Sequence, residues 1–277
     1  MYKFIGLAPL LIFMLVFLGW PMVSVVRFSF LNSAGDFTFN NFTTITTGIY
    51  RDAFLLSFQL SFLSAAISIV FGFLFAYAIA TSKISFLKKS VATASGVLAN
   101  TGGVPLAFMF IAVLGTYGTL TTWLKNFGVN IYGGGWTIYS FSGLLIVYLY
   151  FQIPLMVLIA LPVLEKIKKE WAEAALSLGA SSALYWRKVL LPILTPQLLG
   201  IFLLLFANSF AAYATAAALT SGSLALVPVQ IASLIGSNVQ VDGANTAMAL
   251  GLGMVLCVGL STVGYAILER RTSKWRA

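Results

Sequence analysis

Glu173-Ala174-Ala175-Leu176-Ser177-Leu178-Gly179, then nine residues, then Val189-Leu190-Leu191-Pro192, is the stretch of this chain best suited to engaging another molecule. Its chemistry is docking rather than catalysis. Glu173 offers one negative charge to a basic group, while Ala174 and Ala175 let a helix approach a partner closely. Leu176, Leu178 and Tyr185 are long enough to fill a cleft. A second set of candidates consists of uncharged polar residues within apolar stretches: Asn100, Thr101, Gln152, Asn208, Ser209 and Tyr213. Amides are costly in hydrocarbon unless paired or wetted. Each therefore either bonds a neighbouring helix or faces a solute path, and Tyr213 would add an aromatic face for an organic cation.

The usual reactive groups are missing. The chain has no histidine, which removes histidine metal sites and histidine acid–base chemistry. Its lone Cys257 cannot form an internal disulfide and reads as a small buried hydrophobe. No Gly-x-x-x-x-Gly-Lys-Ser/Thr phosphate loop is present. Gly133-Gly134-Gly135 lacks both the lysine and a preceding strand, so it reads as a turn. The expectation is a non-enzyme with no catalytic residue, metal or cofactor, which does not split ATP by itself. Nor does a charged residue lie deep within any apolar stretch. Ion-coupled carriers and proton pumps usually place one there, so energy for directed transport would enter from outside. A passive pore remains open on this ground.

These residues must be positioned by membrane helices. The chain is 60% hydrophobic and 8% charged, with mean hydropathy +0.98, against about 25% charged residues in a soluble domain. Uncharged runs at 4–26, 53–82, 90–124, 126–164, 189–241 and 243–268 each exceed the roughly 20 apolar residues that cross a bilayer. Barrel strands would instead show alternation over about ten residues. The expected fold is an all-α integral membrane protein, one domain over 1–277, with spans at about 4–27, 53–81, 90–115, 139–164, 196–219 and 243–268. The 23 uncharged residues of the first run are too many for a signal core, and no small-x-small cleavage site precedes Trp20-Pro21. It reads as a retained helix.

Between the fourth and fifth spans lies a polar loop, 165–195. Residues 165–178 are of helical composition, with Glu165 and Lys169 at i,i+4. Gly179 is placed to end that helix, and Ser181 to cap a second short one running through Lys188. Pro192 and Pro196 would mark the start of the fifth span. In the second span Ser57, Ser61, Ser64 and Ser68 recur at spacings suited to close helix contact, with Gln59 among them. In the third, Asn100 and Thr101 beside Gly102-Gly103 and Val104-Pro105 interrupt the helix where backbone would open onto a cavity.

Charge sets the orientation. With the N-terminus inside, thirteen of the sixteen basic residues fall on inner segments, and only Arg27, Arg51 and Lys125 fall outside. The positive-inside rule then places both termini and the 165–195 loop in the cytoplasm. The net charge of +9 is thus a topology signal with a secondary attraction to anionic lipid. Scattered over separate short loops, it is not a nucleic-acid footprint. The outer segments 29–52, 116–138 and 220–242 hold aromatic, small polar and short apolar stretches.

The pattern Glu-Ala-Ala-x3-Gly-x9-Ile-x-Leu-Pro, with Val189 in the Ile position, resembles the cytoplasmic loop of permease subunits of bacterial binding-protein-dependent ABC importers. Phe39-Asn40-Asn41-Phe42 and Gly243-Ala244-Asn245-Thr246-Ala247 are similar to elements of the spermidine/putrescine-type branch, which also includes phosphonate, iron, sulfate and thiamine permeases. The resemblance implies a type I importer permease in the bacterial inner membrane. In it Glu173, Ala174, Ala175 and Gly179, with Leu176 and Leu178, form a coupling helix in a groove of an ABC ATPase dimer. It further implies a second permease subunit, a heterodimer being favoured, and an extracytoplasmic solute-binding protein docking on the outer segments. The cargo would be a polyamine or another small organic solute, moving along a path on which Asn100, Gln152, Asn208 and Tyr213 are the candidates. Competing classes are a passive channel or ion-coupled carrier, and a membrane scaffold that only recruits a cytosolic partner.

Overall fold

The computed structural model describes residues 8–236 and 242–273, almost all of them helical. In chain order the helices are α1 (Ala8–Ser29), α2 (Asn40–Ile45), α3 (Gly48–Thr81), α4 (Ser85–Asn100), α5 (Val104–Leu114) and α6 (Thr119–Asn126). They continue as α7 (Phe141–Glu165), α8 (Lys169–Ser177), α9 (Ser182–Ala211), α10 (Ala214–Thr220), α11 (Val227–Gly236) and α12 (Gly243–Ser273). Six stretches are long and apolar enough to cross a membrane: α1, α3, the α5–α6 pair, α7, α9 and Gly243–Leu268 of α12. This is the all-α, six-span architecture expected from composition.

Two spans differ from expectation, for local reasons. Residues 90–115 do not form one helix: α4 stops at Asn100 and α5 starts at Val104, and the stretch here that is long and apolar enough to cross is Val104–Asn126. The break needs Gly103, whose φ of +79° and ψ of −155° lie in a region essentially reserved for glycine. Pro105 adds to it, because proline disfavours helical geometry in the residue before it. The fifth span begins at Ser182 and ends at Ala211, rather than running over 196–219, and α10 is a separate helix. Pro192 and Pro196 thus lie inside α9.

Both π-turns of the described chain explain themselves by a proline. In α1, Leu15–Gly19 is a π-turn in which the Trp20 N–H reaches Leu15 O, and Pro21 follows. In α9, Trp186–Leu190 is a π-turn in which the Leu191 N–H reaches Trp186 O, and Pro192 follows. Proline has no N–H for the carbonyl four residues back, and its ring crowds that oxygen. Widening by one residue relieves the crowding and keeps the helix continuous.

The chain divides into two compact units: the described parts of 1–57 with 225–256, and those of 58–224 with 257–277. In the first, Ile45, Tyr50, Leu234, Ala247, Ala249 and Leu250 form a core bordered by Phe42, Phe54 and Ile231. A Cβ at Gly253 would lie 2.8 Å from Phe54 Cζ, so glycine there permits the packing of α12 on that ring. Within this unit α1 is apolar on every side, yet none of its most apolar 18-residue window is buried. Such a surface calls for hydrocarbon or another apolar surface to cover it.

The second unit is organised around α7. Leu144, Val147, Tyr148, Met156 and Ala160 are almost wholly buried there, and α4, α5, α9 and α10 pack against α7. At Gly72 of α3 an added Cβ would fall against the Met156 side chain. The serines of α3 at 57, 61, 64 and 68 are all buried, whereas Gln59 is exposed. Small side chains on one stripe therefore do let α3 pack closely within each unit.

Candidate functional site

The docking residues sit on a helix with a well-made end. The Ala180 N–H bonds Ala175 O at 3.0 Å and the Gly179 N–H bonds Leu176 O at 2.9 Å, the paired bonds of a Schellman motif. Gly179 takes the left-handed φ of +78° that the motif requires. Glu173 and Ala174 are exposed and Ala175 is half-buried. Leu176 and Leu178 are 58% and 88% exposed. Two leucines are thus held in solvent, flanking a carboxylate, on a helix with no buried residue. Ser181 accepts the Leu184 N–H at 3.3 Å and caps the next helix. That helix is α9, which runs on without a stop to Ala211.

One residue of this region was not legible as an anchor. Trp186 packs edge-on against Tyr77 of α3, with ring centroids 4.8 Å apart, and against Phe73 at 6.3 Å. Its only sequence signal was an aromatic residue in the second short helix of the loop.

Four candidate path residues are distributed over two places. Gln152 of α7 is fully buried and Asn208 of α9 is exposed, and the two meet: Asn208 Nδ2 donates to Gln152 Oε1 at 3.3 Å. Gln152 Nε2 donates to Leu205 O at 2.7 Å and to Ser209 Oγ at 2.6 Å. Because Leu205 O accepts only, the amide orientation is fixed. Ser209 Oγ lies 2.6 Å from Ser64 Oγ, and Ser64 donates to Ser61 O at 3.1 Å. Ser64 has one proton, so Ser209 is the donor between the hydroxyls. A single directed chain results, from Asn208 through Gln152, Ser209 and Ser64 to Ser61 O. Bonds that all point one way polarise one another. This chain ties α3, α7 and α9 together and presents only its Asn208 end to the outside.

Asn100 and Tyr213 lie at the two breaks in helical backbone. Asn100 is exposed and donates to Gly96 O in its own helix at 2.8 Å. Tyr213 is 44% exposed in the step between α9 and α10. Both breaks are braced by residues that sequence reading passed over. The Gly103 N–H donates to Thr215 Oγ1 at 2.8 Å, and Thr215 Oγ1 returns a bond to Gly103 O at 3.3 Å. Tyr148 Oη donates to Ala212 O at 2.7 Å. Non-helical backbone at membrane depth is tolerated only in protein or beside a wet cavity. Here Asn100 and Gly102 at one break, and Ala211 and Tyr213 at the other, are exposed. Among the described residues no cluster of metal-binding side chains occurs.

The chain is similar to known transport proteins. A "Probable sulfate transport system permease protein" of Chlorella vulgaris is 28% identical over 179 residues, 64% of this chain and 64% of that protein. The thiamine transport system permease protein of Escherichia coli K12 is 31% identical over 169 residues, 60% of this chain and 30% of that protein. The chain thus spans less than two thirds of the length of these relatives. A crystal structure of a bacterial alginate ABC transporter, in complex with an alginate pentasaccharide-bound periplasmic protein, superposes with a TM-score of 0.70 at 17% identity. That superposition covers 99% of this chain and 94% of the other, and it shows the fold. The family model described as binding-protein-dependent transport system inner membrane component matches residues 90–274, which include the loop, Gln152, Asn208 and Ser209 of the hydrogen-bond chain, and both helix breaks. The chain belongs to the family of binding-protein-dependent transport system inner membrane components.

Proposed function

We propose that this chain is the permease subunit of an ABC importer, that it forms half of a solute path, and that a separate ATPase dimer drives it through α8. The observation that carries this reading is the exposed Leu176–Leu178 pair beside Glu173, on a helix ended at Gly179 and continued into a membrane-crossing rod. Glu173, Ala174, Ala175 and Gly179 supply the ATPase contact, with Leu176 and Leu178 filling its groove. Both termini and this loop face the cytoplasm. A second, non-identical permease completes the path, and an extracytoplasmic binding protein delivers cargo to the opposite face. Asn100, Asn208 and Tyr213 line the path, and Gln152 orients Asn208 from behind.

For the cargo we favour sulfate. None of the seven acidic residues lies deep in a span, which suits a small oxyanion passing over neutral donors better than a polyvalent cation. A polyamine, as the spermidine/putrescine-type resemblance implies, would cross without a countercharge. Thiamine is the second reading, favoured by the exposed Tyr213 ring, which offers a cation–π face. Both names come from relatives. The test is uptake of [35S]sulfate and [3H]thiamine in a strain lacking the gene. Loss of sulfate uptake, restored by the wild-type gene and not by Glu173→Arg, supports the proposal, and loss confined to thiamine assigns the second cargo. Movement of sulfate by the purified protein in liposomes, with no ATPase present, would establish a channel or carrier instead.

A further inference from the structure

The π-turn of α9 lies between the docking loop and the membrane-crossing part of the same helix. The regular ladder of the rod is interrupted here, since Pro192 contributes no N–H and the turn is closed by the i→i+5 bond from Leu191 to Trp186 O. A displacement applied at α8 would bend α9 at 186–190 and be lost there, unless something holds the turn. Trp186 is the first residue of that turn and rests against Tyr77 and Phe73 of α3. Farther along the same pair of helices, Phe62 meets Phe202 at 5.3 Å and Phe58 meets Phe206 at 5.3 Å, both edge to face. The Ser64–Ser209 hydrogen bond joins them again. These ring pairs and one hydroxyl pair thus join α3 to α9 along their length, and the pair nearest the loop is the one that covers the hinge.

We infer that Trp186 is a positioning residue that braces the π-turn against α3, so that movement of the docking loop carries α3 and α9 together instead of bending α9. This rests on the coupling reading above and adds to it a residue outside the docking pattern. Trp186 is neither one of the docking residues nor one of the candidate path residues. It acts through α3, and its contact is a shape fit between rings, so phenylalanine should replace it in part and alanine should not.

The experiment uses the complete importer, with its ATPase and second permease, in proteoliposomes and in a Cys257→Ser background. Spin labels are placed on exposed faces at Phe75 of α3 and Leu199 of α9, and their separation is measured with and without ATP–vanadate. In the wild type the separation should stay constant as nucleotide binds. In Trp186→Ala it should shift or broaden, while ATP hydrolysis stays within about twofold of wild type and [35S]sulfate moved per ATP falls at least tenfold. Trp186→Phe should recover most of that ratio, and Tyr77→Ala should reproduce the loss from the α3 side, even if Trp186→Ala fails to insert. A wild-type separation that itself changes with nucleotide overturns the inference, as does a Trp186→Ala complex with an unchanged separation. A wild-type chain that never associates with an ATPase overturns the coupling reading itself, and this inference with it.

Discussion

The side-chain amides of Asn41 and Asn245 donate to one carbonyl oxygen, that of Leu31, at 2.8 and 2.6 Å. The two residues are not equivalent. Asn41 is 3% exposed and also donates to Ser29 O at 3.0 Å, so it closes the turn between α1 and α2 from inside. Asn41→Leu leaves Ser29 O without this partner and should cost about 2–3 kcal/mol, whereas Asn245→Leu leaves Leu31 O still bonded to Asn41 and should cost about 1 kcal/mol. Thermal unfolding in detergent checks the order, and a larger loss for Asn245→Leu would contradict it.

Gln152 makes the contacts whose removal is most informative about the centre of the second unit. Gln152→Leu keeps a similar volume and deletes bonds to Leu205 O, Ser209 and Asn208. Bonds between membrane helices average about 0.6 kcal/mol each, so a loss of about 2 kcal/mol is expected. Gln152→Glu should be worse despite its closer shape. It exchanges an NH2 that donates to both Leu205 O and Ser209 Oγ for a carboxyl with at most one O–H to give. Melting curves that place Gln152→Glu above Gln152→Leu at pH 8 would refute the hydrogen-bond directions assigned to this site.

The particular residues show why some of this was readable and some was not. Six spans followed from uncharged length alone, and the glycine-ended docking helix from Gly179 and Ser181, because both signals are local. The break at 101–103 was visible as Gly-Gly next to Val-Pro, but its support was not: the bonds between Gly103 and Thr215 join residues far apart in sequence. The start of α9 was misplaced because proline ordinarily ends or begins a helix, and here a π-turn absorbs it. Thr215, Tyr148 and Trp186 were invisible as supports. Their partners, Gly103, Ala212 and Tyr77, are distant in sequence and are met only through the fold.

Thr215 should prove necessary to the break between α4 and α5. Thr215→Val keeps the shape and removes the acceptor for the Gly103 N–H, at an expected cost of about 1–2 kcal/mol. At Gly103 an added Cβ would meet Ala214 Cβ at an ordinary 3.7 Å. Gly103→Ala is therefore disfavoured by backbone conformation rather than by a clash, by about 1–3 kcal/mol. Since both changes act on one hydrogen bond, the double variant should lose less than the two single losses combined. A strictly additive double-mutant cycle would show that Thr215 and Gly103 are independent.

The docking loop should fail in a different manner from every site above, through coupling and not stability. Glu173 is exposed and α8 buries no residue, so Glu173→Arg should leave melting within about 0.5 kcal/mol of wild type. Leu178→Asp replaces a side chain that is 88% exposed and should also leave folding intact. If the loop seats in an ATPase, both changes should weaken its copurification with that subunit at least tenfold. Transport should fall in parallel, while the amount of inserted permease stays constant. Gly179→Pro tests the pivot. Proline cannot adopt a φ of +78°, and it removes the N–H that bonds Leu176 O, so the direction in which α8 leaves α9 must change although its docking side chains are untouched. It should therefore block transport as fully as Glu173→Arg. A Gly179→Pro complex that transports normally would show that the loop needs its side chains but no defined pivot. Full ATPase binding by Glu173→Arg and Leu178→Asp would place the motor's contact elsewhere on the chain.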